Sequence, residues 1–280
     1  MSRRRSRGRD VAGLVVVVTG GARGIGRATV DRLARAGCRV ALGDLDADLA
    51  AAVAGEHGDR VVAAPLDVTA PESWTAFLDA TAALGPVDVL VNNAGIMPLG
   101  PLLEEPDAVT RRIIDVNLLG VVNGTKAVAP GMVERGRGQV VNIASAVGRV
   151  AVANGATYSA SKHAVVGLTE ALRSELGPAG VEVSMVMPTV VRTELAAGVA
   201  QARGVPDVTP ADVAAVVEDV VRRPRAEVWV PGWTQPVTKL TQALPRRVQE
   251  AMARAFAADA LLADVDDGAR AAYEERARRG

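Results

Sequence analysis

Short β-branched runs alternate with helical stretches along almost the whole of this chain, and that rhythm constrains the fold more than any single motif. Residues 14–18 form an unbroken apolar run, a Gly-rich turn follows, and residues 25–36 read as a helix closed by Gly37. The unit recurs: a strand at 39–42 with a helix from about Asp46, a strand at 61–66 with a helix over 71–84, and a strand at 87–91 with a helix after Glu105. Further strands are expected at 139–143, 181–187 and 227–230, with helices around 157–176 and 210–221. Such alternation predicts an α/β fold: a Rossmann-like, doubly wound parallel sheet of about seven strands, joined by right-handed crossovers and covered by helices on both faces. Ligands of such sheets bind at the carboxyl ends of the strands.

With 280 residues, the chain reads as a basic N-terminal tail over 1–9, one nucleotide-binding catalytic domain over 10–235, and a helical C-terminal extension over 236–280. The composition is 49% apolar but only 2% aromatic, which suits buried parallel strands under close-packed helices. Thirty-two basic and thirty-two acidic residues cancel, so no bulk field draws the protein to nucleic acid or an anionic membrane. The run at positions 2–9 is read as a solvated tail. The apolar residues after it lead straight into Thr19-Gly20-Gly21 without a small-residue cleavage pattern, so they read as a strand and not as an export signal. No stretch approaches the roughly 20 apolar residues of a membrane span.

Cys38 is the only cysteine, so no disulfide forms within the chain, and the cytoplasm is the expected location. His57 and His163 are too isolated for a zinc site, and the acidic run ending at Glu275 misplaces the glycine that a calcium loop requires, so no metal is expected. In the C-terminal extension Val248, Met252 and Phe256 recur every four residues as one apolar stripe. That stripe either packs on the domain, docks on a partner subunit or caps the substrate pocket.

The turn Gly20-Gly21-Ala22-Arg23-Gly24-Ile25-Gly26 follows the first strand and opens the first helix, as a dinucleotide cradle requires. Missing side chains let the backbone approach a pyrophosphate, while the helix N-terminus supplies N–H groups and partial positive charge. Asp44 ends the second strand, where its carboxylate can accept hydrogen bonds from an adenosine ribose and would repel a 2′-phosphate. This favours NAD over NADP, although Arg23 in the loop pulls the other way. Asp67 and Val68, after the third strand, offer a side chain and a backbone N–H to the adenine edge or form an ordinary strand-end cap.

Downstream, Tyr158 and Lys162 lie one helical turn apart, thirteen residues after Ser145. Together with the Gly-rich loop, Asp67, Asn92-Asn93-Ala94-Gly95, Asn117 and Pro188 through Thr193, they occur in the order found in the short-chain dehydrogenase/reductase family, which the chain resembles over roughly positions 12–232. The resemblance implies a nicotinamide cofactor and a catalytic quartet of Asn117, Ser145, Tyr158 and Lys162. It also implies that Asn93, Ala94 and Gly95 border the adenosine, that Pro188, Val191 and Thr193 hold the carboxamide and a phosphate, and that the protein is a homotetramer or homodimer. One position departs from the family pattern: Thr189 stands where the family has glycine, which restricts the backbone of the nicotinamide-binding loop.

Hydride transfer needs a partner that gives or takes a proton at the substrate oxygen, and Tyr158 is the candidate. A free phenol has a pKa of about 10, and moving it to about 7 takes roughly 4 kcal/mol of preference for the phenolate. Lys162 and the positive charge of oxidised nicotinamide are the expected sources. Ser145 would donate to the substrate oxygen, and Asn117 would hold a water linking Lys162 to solvent. The segments 96–103, 146–157 and 190–205 should face the substrate. They are mainly aliphatic, which implies a moderately apolar small-molecule alcohol or ketone, with Arg149 and Arg192 leaving room for an acidic group. Trp74, Trp229 and Trp233 read as packing or interface residues. A catalytically silent nucleotide sensor or scaffold is the alternative. A cofactor-free lyase is disfavoured because Lys162 and the loop glycines are all present.

Overall fold

The structure, a computed structural model, describes residues 8–199 and 207–249, together with Gly268, Arg270, residues 273–275 and Ala277. The order of elements begins β1 (Val15–Thr19), α1 (Gly24–Arg35), β2 (Arg39–Asp44), α2 (Ala47–Gly55), β3 (Val61–Pro65), α3 (Pro71–Ala80) and β4 (Val89–Asn92). There follow α4 (Asp107–Ile114), a π-helical segment (Asp115–Leu119), α5 (Gly120–Glu134), β5 (Gly138–Ile143), α6 (Ala156–Leu176), β6 (Val181–Pro188), α7 (Pro210–Arg222), β7 (Glu227–Val230) and α8 (Thr234–Gln242).

All seven strands are parallel, in the order β3-β2-β1-β4-β5-β6-β7. Alternate side chains of β1 divide between the two faces. Val16 and Val18 join Val30, Leu33, Val40 and Val217 beneath α1 and α7, whereas Val15 and Val17 join Trp74, Phe77, Leu90 and Met132 beneath α3 and α5. Trp74 packs edge-on against Phe77, with ring centroids 6.2 Å apart, so it is a core residue. Helix starts follow local chemistry: Asp46 accepts from Leu49 N at α2, Pro71 opens α3, and Thr209 and Asp212 close a reciprocal capping box at α7.

Two details depart from the sequence expectation. The helix after Glu105 is not regular, because the π-helical segment Asp115–Leu119 inserts an extra residue between α4 and α5 around the fully buried Asn117. Arg9 does not belong to a solvated tail. Its Nε donates to Val221 O at 2.7 Å, its backbone N–H donates to Arg222 O at 2.9 Å, and its guanidinium reaches Gln139 Oε1. Gln139 is fully buried at the start of β5, and an amide in that position needs partners. Residues 1–7, and the stripe positions Met252 and Phe256, lie outside the described residues; Val248 is exposed. No described helix is long and apolar enough to cross a membrane.

Candidate active site

The strand order reverses between β1 and β4, and side chains at the two strand ends close the gap. Thr19 Oγ1 accepts from both Asn93 N and Ala94 N at 3.0 Å. Asn93 Nδ2 donates to Thr19 O at 2.9 Å and to Gly20 O at 3.1 Å. Deeper in the sheet, Asn92 Nδ2 donates to Asn142 Oδ1, and Asn142 Nδ2 to Thr169 Oγ1 on α6, both at 2.9 Å. This buried amide chain fixes β4, β5 and α6 relative to one another.

The Gly-rich loop is as bare as its sequence requires. A Cβ on Gly26 would lie 1.9 Å from Gly20 O, and Gly20 and Gly24 have φ of +62° and +51°. The loop is closed on one side by Asp44, whose Oδ2 accepts from Ala22 N at 2.9 Å, and on the other by Thr193, 3.2 Å from the Cβ position of Gly24. Arg23 pairs with Asp46 at 2.9 Å and with Glu194 at 3.6 Å. This exposed backbone at a helix N-terminus, at the strand-order reversal, fits a dinucleotide pyrophosphate.

A cavity of about 1400 Å³ runs from this loop along the carboxyl ends of the strands. All the site residues expected from the sequence line it except Gly26 and Asn117, which sit behind its wall. Thr189 follows β6 without distorting the chain: its N–H donates to Val230 O at 3.0 Å and its hydroxyl reaches the same carbonyl at 3.3 Å. The side chain that replaces the family glycine therefore extends the β6–β7 pairing. Beyond it Val191 bridges to Val208.

At the cavity floor Tyr158 and Lys162 share one face of α6, as their spacing predicts. Both are buried. Lys162 Nζ lies 5.9 Å from the Tyr158 ring centroid and donates to Ile143 O, at the end of β5, at 3.0 Å. Burial brings the ammonium down to about 8. Without a cofactor, burial pushes the Tyr158 phenol up to about 12, against the hydrogen bond from Ser145, which favours the phenolate. Ser145 Oγ also accepts from Val147 N at 3.2 Å, which aims the hydroxyl into the cavity mouth of β5.

Asn117 Oδ1 accepts from Ile96 N at 2.8 Å, and its Nδ2 donates to Ile96 O at 2.9 Å and to Ser161 Oγ at 3.1 Å. Both amide donors and one acceptor position hold the loop after β4 against α6, so the side chain acts as a clasp. Asp67 Oδ1 accepts from Thr69 N and Oγ1, which fixes the turn after β3. Arg149 pairs with Glu170 and Glu227, and Arg192 with Asp207, so carboxylates of the chain already occupy both cations.

Sequence reasoning anticipated a C-terminal cap but did not single out the residues of that wall. Trp233, Val237 and Thr241 of the α8 region line the cavity, and Gln242 fastens α8 by donating to Arg149 O at 2.7 Å. Trp233 is therefore a cavity residue. Tyr273 and Ala277, from the C-terminal extension, line it too. A usable signal was present: the chain has only two tyrosines, and both face this cavity.

A dinucleotide cradle joined to a buried Ser-Tyr-Lys constellation defines a nicotinamide-dependent oxidoreductase. The chain belongs to the short-chain dehydrogenase family, whose model matches residues 14–204. It is 42% identical over 184 residues, 65% of this chain and 71% of the relative, to a 3-alpha-(or 20-beta)-hydroxysteroid dehydrogenase of Mycobacterium tuberculosis. It is 36% identical over 271 residues, 93% of this chain and 98% of the relative, to a cis-4-hydroxycyclohexanecarboxylate dehydrogenase of Sinomonas cyclohexanicum. A short-chain dehydrogenase/reductase from Burkholderia phymatum, solved in complex with NAD, superposes with a TM-score of 0.76 at 28% identity, covering 84% of this chain and 94% of that one. The protein is thus an NAD(P)-dependent enzyme acting on alcohol or keto groups, and the silent-scaffold alternative is set aside.

The Lys162 shift carries a sign that can be checked. Folding lowers its pKa from 10.5 to about 8, so between those values the unfolded chain binds more protons and stability rises with pH. Urea unfolding of the cofactor-free protein from pH 8 to 9 should show this rise, and Lys162→Met should lose that increment. Equal slopes in the two proteins would contradict the buried ammonium.

Proposed function

We propose that the enzyme is an NAD-preferring dehydrogenase and ketone reductase for secondary alcohols on alicyclic rings, with Tyr158 as its general acid and base. The observation that carries this reading is the buried phenol at the cavity floor, hydrogen-bonded by Ser145 and faced by the Lys162 ammonium. In alcohol oxidation Tyr158 Oη accepts the hydroxyl proton, while Ser145 Oγ–H donates to the same substrate oxygen and holds it against the phenol. In ketone reduction the phenol returns that proton. Lys162 stabilises the phenolate, and Asn117 is a positioning residue that keeps Ile96 and Ser161 in place. The backbone of Gly20, Gly24 and Ile25, with Asp44, would hold the dinucleotide, which would supply the hydride acceptor and positive charge at the site.

The chain's own residues leave the phenol above its ordinary pKa, so the acidity needed near neutral pH depends on a loaded cradle. The NAD preference rests on Asp44, held by Ala22 N–H at the loop, and on Arg23, whose guanidinium is already paired with two carboxylates. The substrate class rests on a wall of Ile96, Met97, Val147, Val150, Val190 and Val237, and on the hydroxysteroid and hydroxycyclohexanecarboxylate named for the two relatives. A homotetramer or homodimer in the cytoplasm completes the proposal. The lone thiol fits that location: Cys38 is buried, donates to Val11 O and is pushed up to about 11 by burial, so it is unreactive.

Tyr158→Phe should lower turnover of cyclohexanol-type alcohols by about 10²–10⁴-fold, the usual scale of general acid–base catalysis. NADH affinity, read by fluorescence, should stay within about threefold, because the phenol's part is proton transfer. Retained turnover would remove Tyr158 from the mechanism. Asp44→Ser should shift the NADP-to-NAD ratio of kcat/KM upward by about tenfold, since a hydrogen bond to a charged group is worth about 1.5–3 kcal/mol. An unchanged ratio would place cofactor selection elsewhere.

A further inference from the structure

Arg270, Tyr273 and Glu274 of the C-terminal extension lie against the two loops that flank the cavity. Arg270 is 1% exposed. Its guanidinium donates to Met97 O, in the loop after β4, at 2.6 Å, and to Leu195 O and Ala197 O, in the segment after β6, at 2.9 and 3.0 Å. Its charge is met by Glu274, whose carboxylate also accepts from Leu99 N at 3.3 Å. One planar fork therefore ties together two loops nearly 100 residues apart in sequence, roughly the span from residue 97 to 195.

Tyr273 stands beneath that fork. Its ring lies 5.0 Å from Arg270 Cζ and faces the cavity, close enough to Tyr158 for the charges of the two phenolates to disfavour each other. Met97 N donates to Tyr273 Oη at 2.7 Å, which fixes the ring. The hydroxyl proton is unspent: no described residue accepts it. A buried phenol proton aimed at a cavity needs an acceptor when the cavity fills.

We propose that Tyr273 is a specificity-determining residue, donating its hydroxyl proton to a second oxygen of the substrate, away from the reacting carbon, with Arg270 as the residue that positions it. The inference rests on the alicyclic-alcohol reading and narrows it to rings bearing a further oxygen function. The wall formed by Ile96, Met97, Val147, Val150, Val190 and Val237 is apolar, so a substrate without that oxygen would leave the phenol donor unsatisfied.

The test pairs isosteric alcohols, 3- and 4-methoxycyclohexanol against 3- and 4-ethylcyclohexanol. Each is read by turnover with NAD and by binding to the NADH complex. The wild-type enzyme should prefer at least one methoxy isomer about fivefold over its ethyl counterpart, within the range of one net hydrogen bond. Tyr273→Phe should erase that preference, weakening the methoxy compounds and relieving the ethyl ones, with NADH affinity retained. Arg270→Lys, which keeps the charge but loses the fork, should raise KM severalfold with kcat retained. No preference in the wild type, or an equal loss on both members of each pair in Tyr273→Phe, would overturn the proposal. The binding arm is repeated in Tyr158→Phe. If that variant still discriminates but does not turn over, both readings hold; if it turns over, the Tyr158 mechanism fails while the Tyr273 result stands.

Discussion

The hydrogen bond from Lys162 Nζ to Ile143 O joins the central helix of the site to the end of a central strand, and the rest of the site is arranged around it. An ammonium with essentially no access to water is costly. Its descent from 10.5 to about 8 corresponds to roughly 3 kcal/mol. A protein carries such a cost where the charge has a use. Here the ammonium faces the ring of Tyr158 from the next turn of α6, and Ser145 meets the phenol from the end of β5. The same burial that strengthens these interactions raises the phenol itself, so the chain without its cofactor holds a neutral tyrosine.

Topology explains why these groups meet. Parallel strands deliver their carboxyl ends to one rim, and the reversal between β1 and β4 opens a crevice there. Thr19 and Asn93 stitch the crevice at its base, so the Gly-rich loop and the segment after β4 keep a fixed separation. Asn117 extends the same rigidity to α6 through Ile96 and Ser161. Its side chain projects from the π-helical segment, where one extra residue is inserted into the helix through residues 115–119.

Much of this was legible in the sequence because period and spacing are local properties. The β-branched runs predicted all seven strands, and the i, i+4 spacing placed Tyr158 and Lys162 on one face. The glycines of the loop were readable because only hydrogen fits where Gly26 meets Gly20 O. What escaped was set by contacts distant in sequence. The raised phenol reflects burial, which spacing does not reveal. The buried role of Arg9 depends on Gln139, 130 positions away, and the clasp of Asn117 depends on a loop 21 positions away. The C-terminal extension was anticipated as a possible cap; among its described residues Val237, Thr241, Tyr273 and Ala277 line the cavity, while Met252 and Phe256 of the apolar stripe lie outside the described residues.

The central claim is that Tyr158 is a high-pKa phenol in the free enzyme and becomes acidic only when the dinucleotide site is filled. With Tyr273→Phe a single tyrosine remains, so the ζ-carbon resonance of 13C-labelled tyrosine reports Tyr158 alone. Titrated without cofactor, it should ionise near 12, as burial dictates. With saturating NAD it should fall by about 2 units or more, toward the range where a general base works. An unshifted titration in the complex, or an acidic phenol in the free protein, would contradict the account.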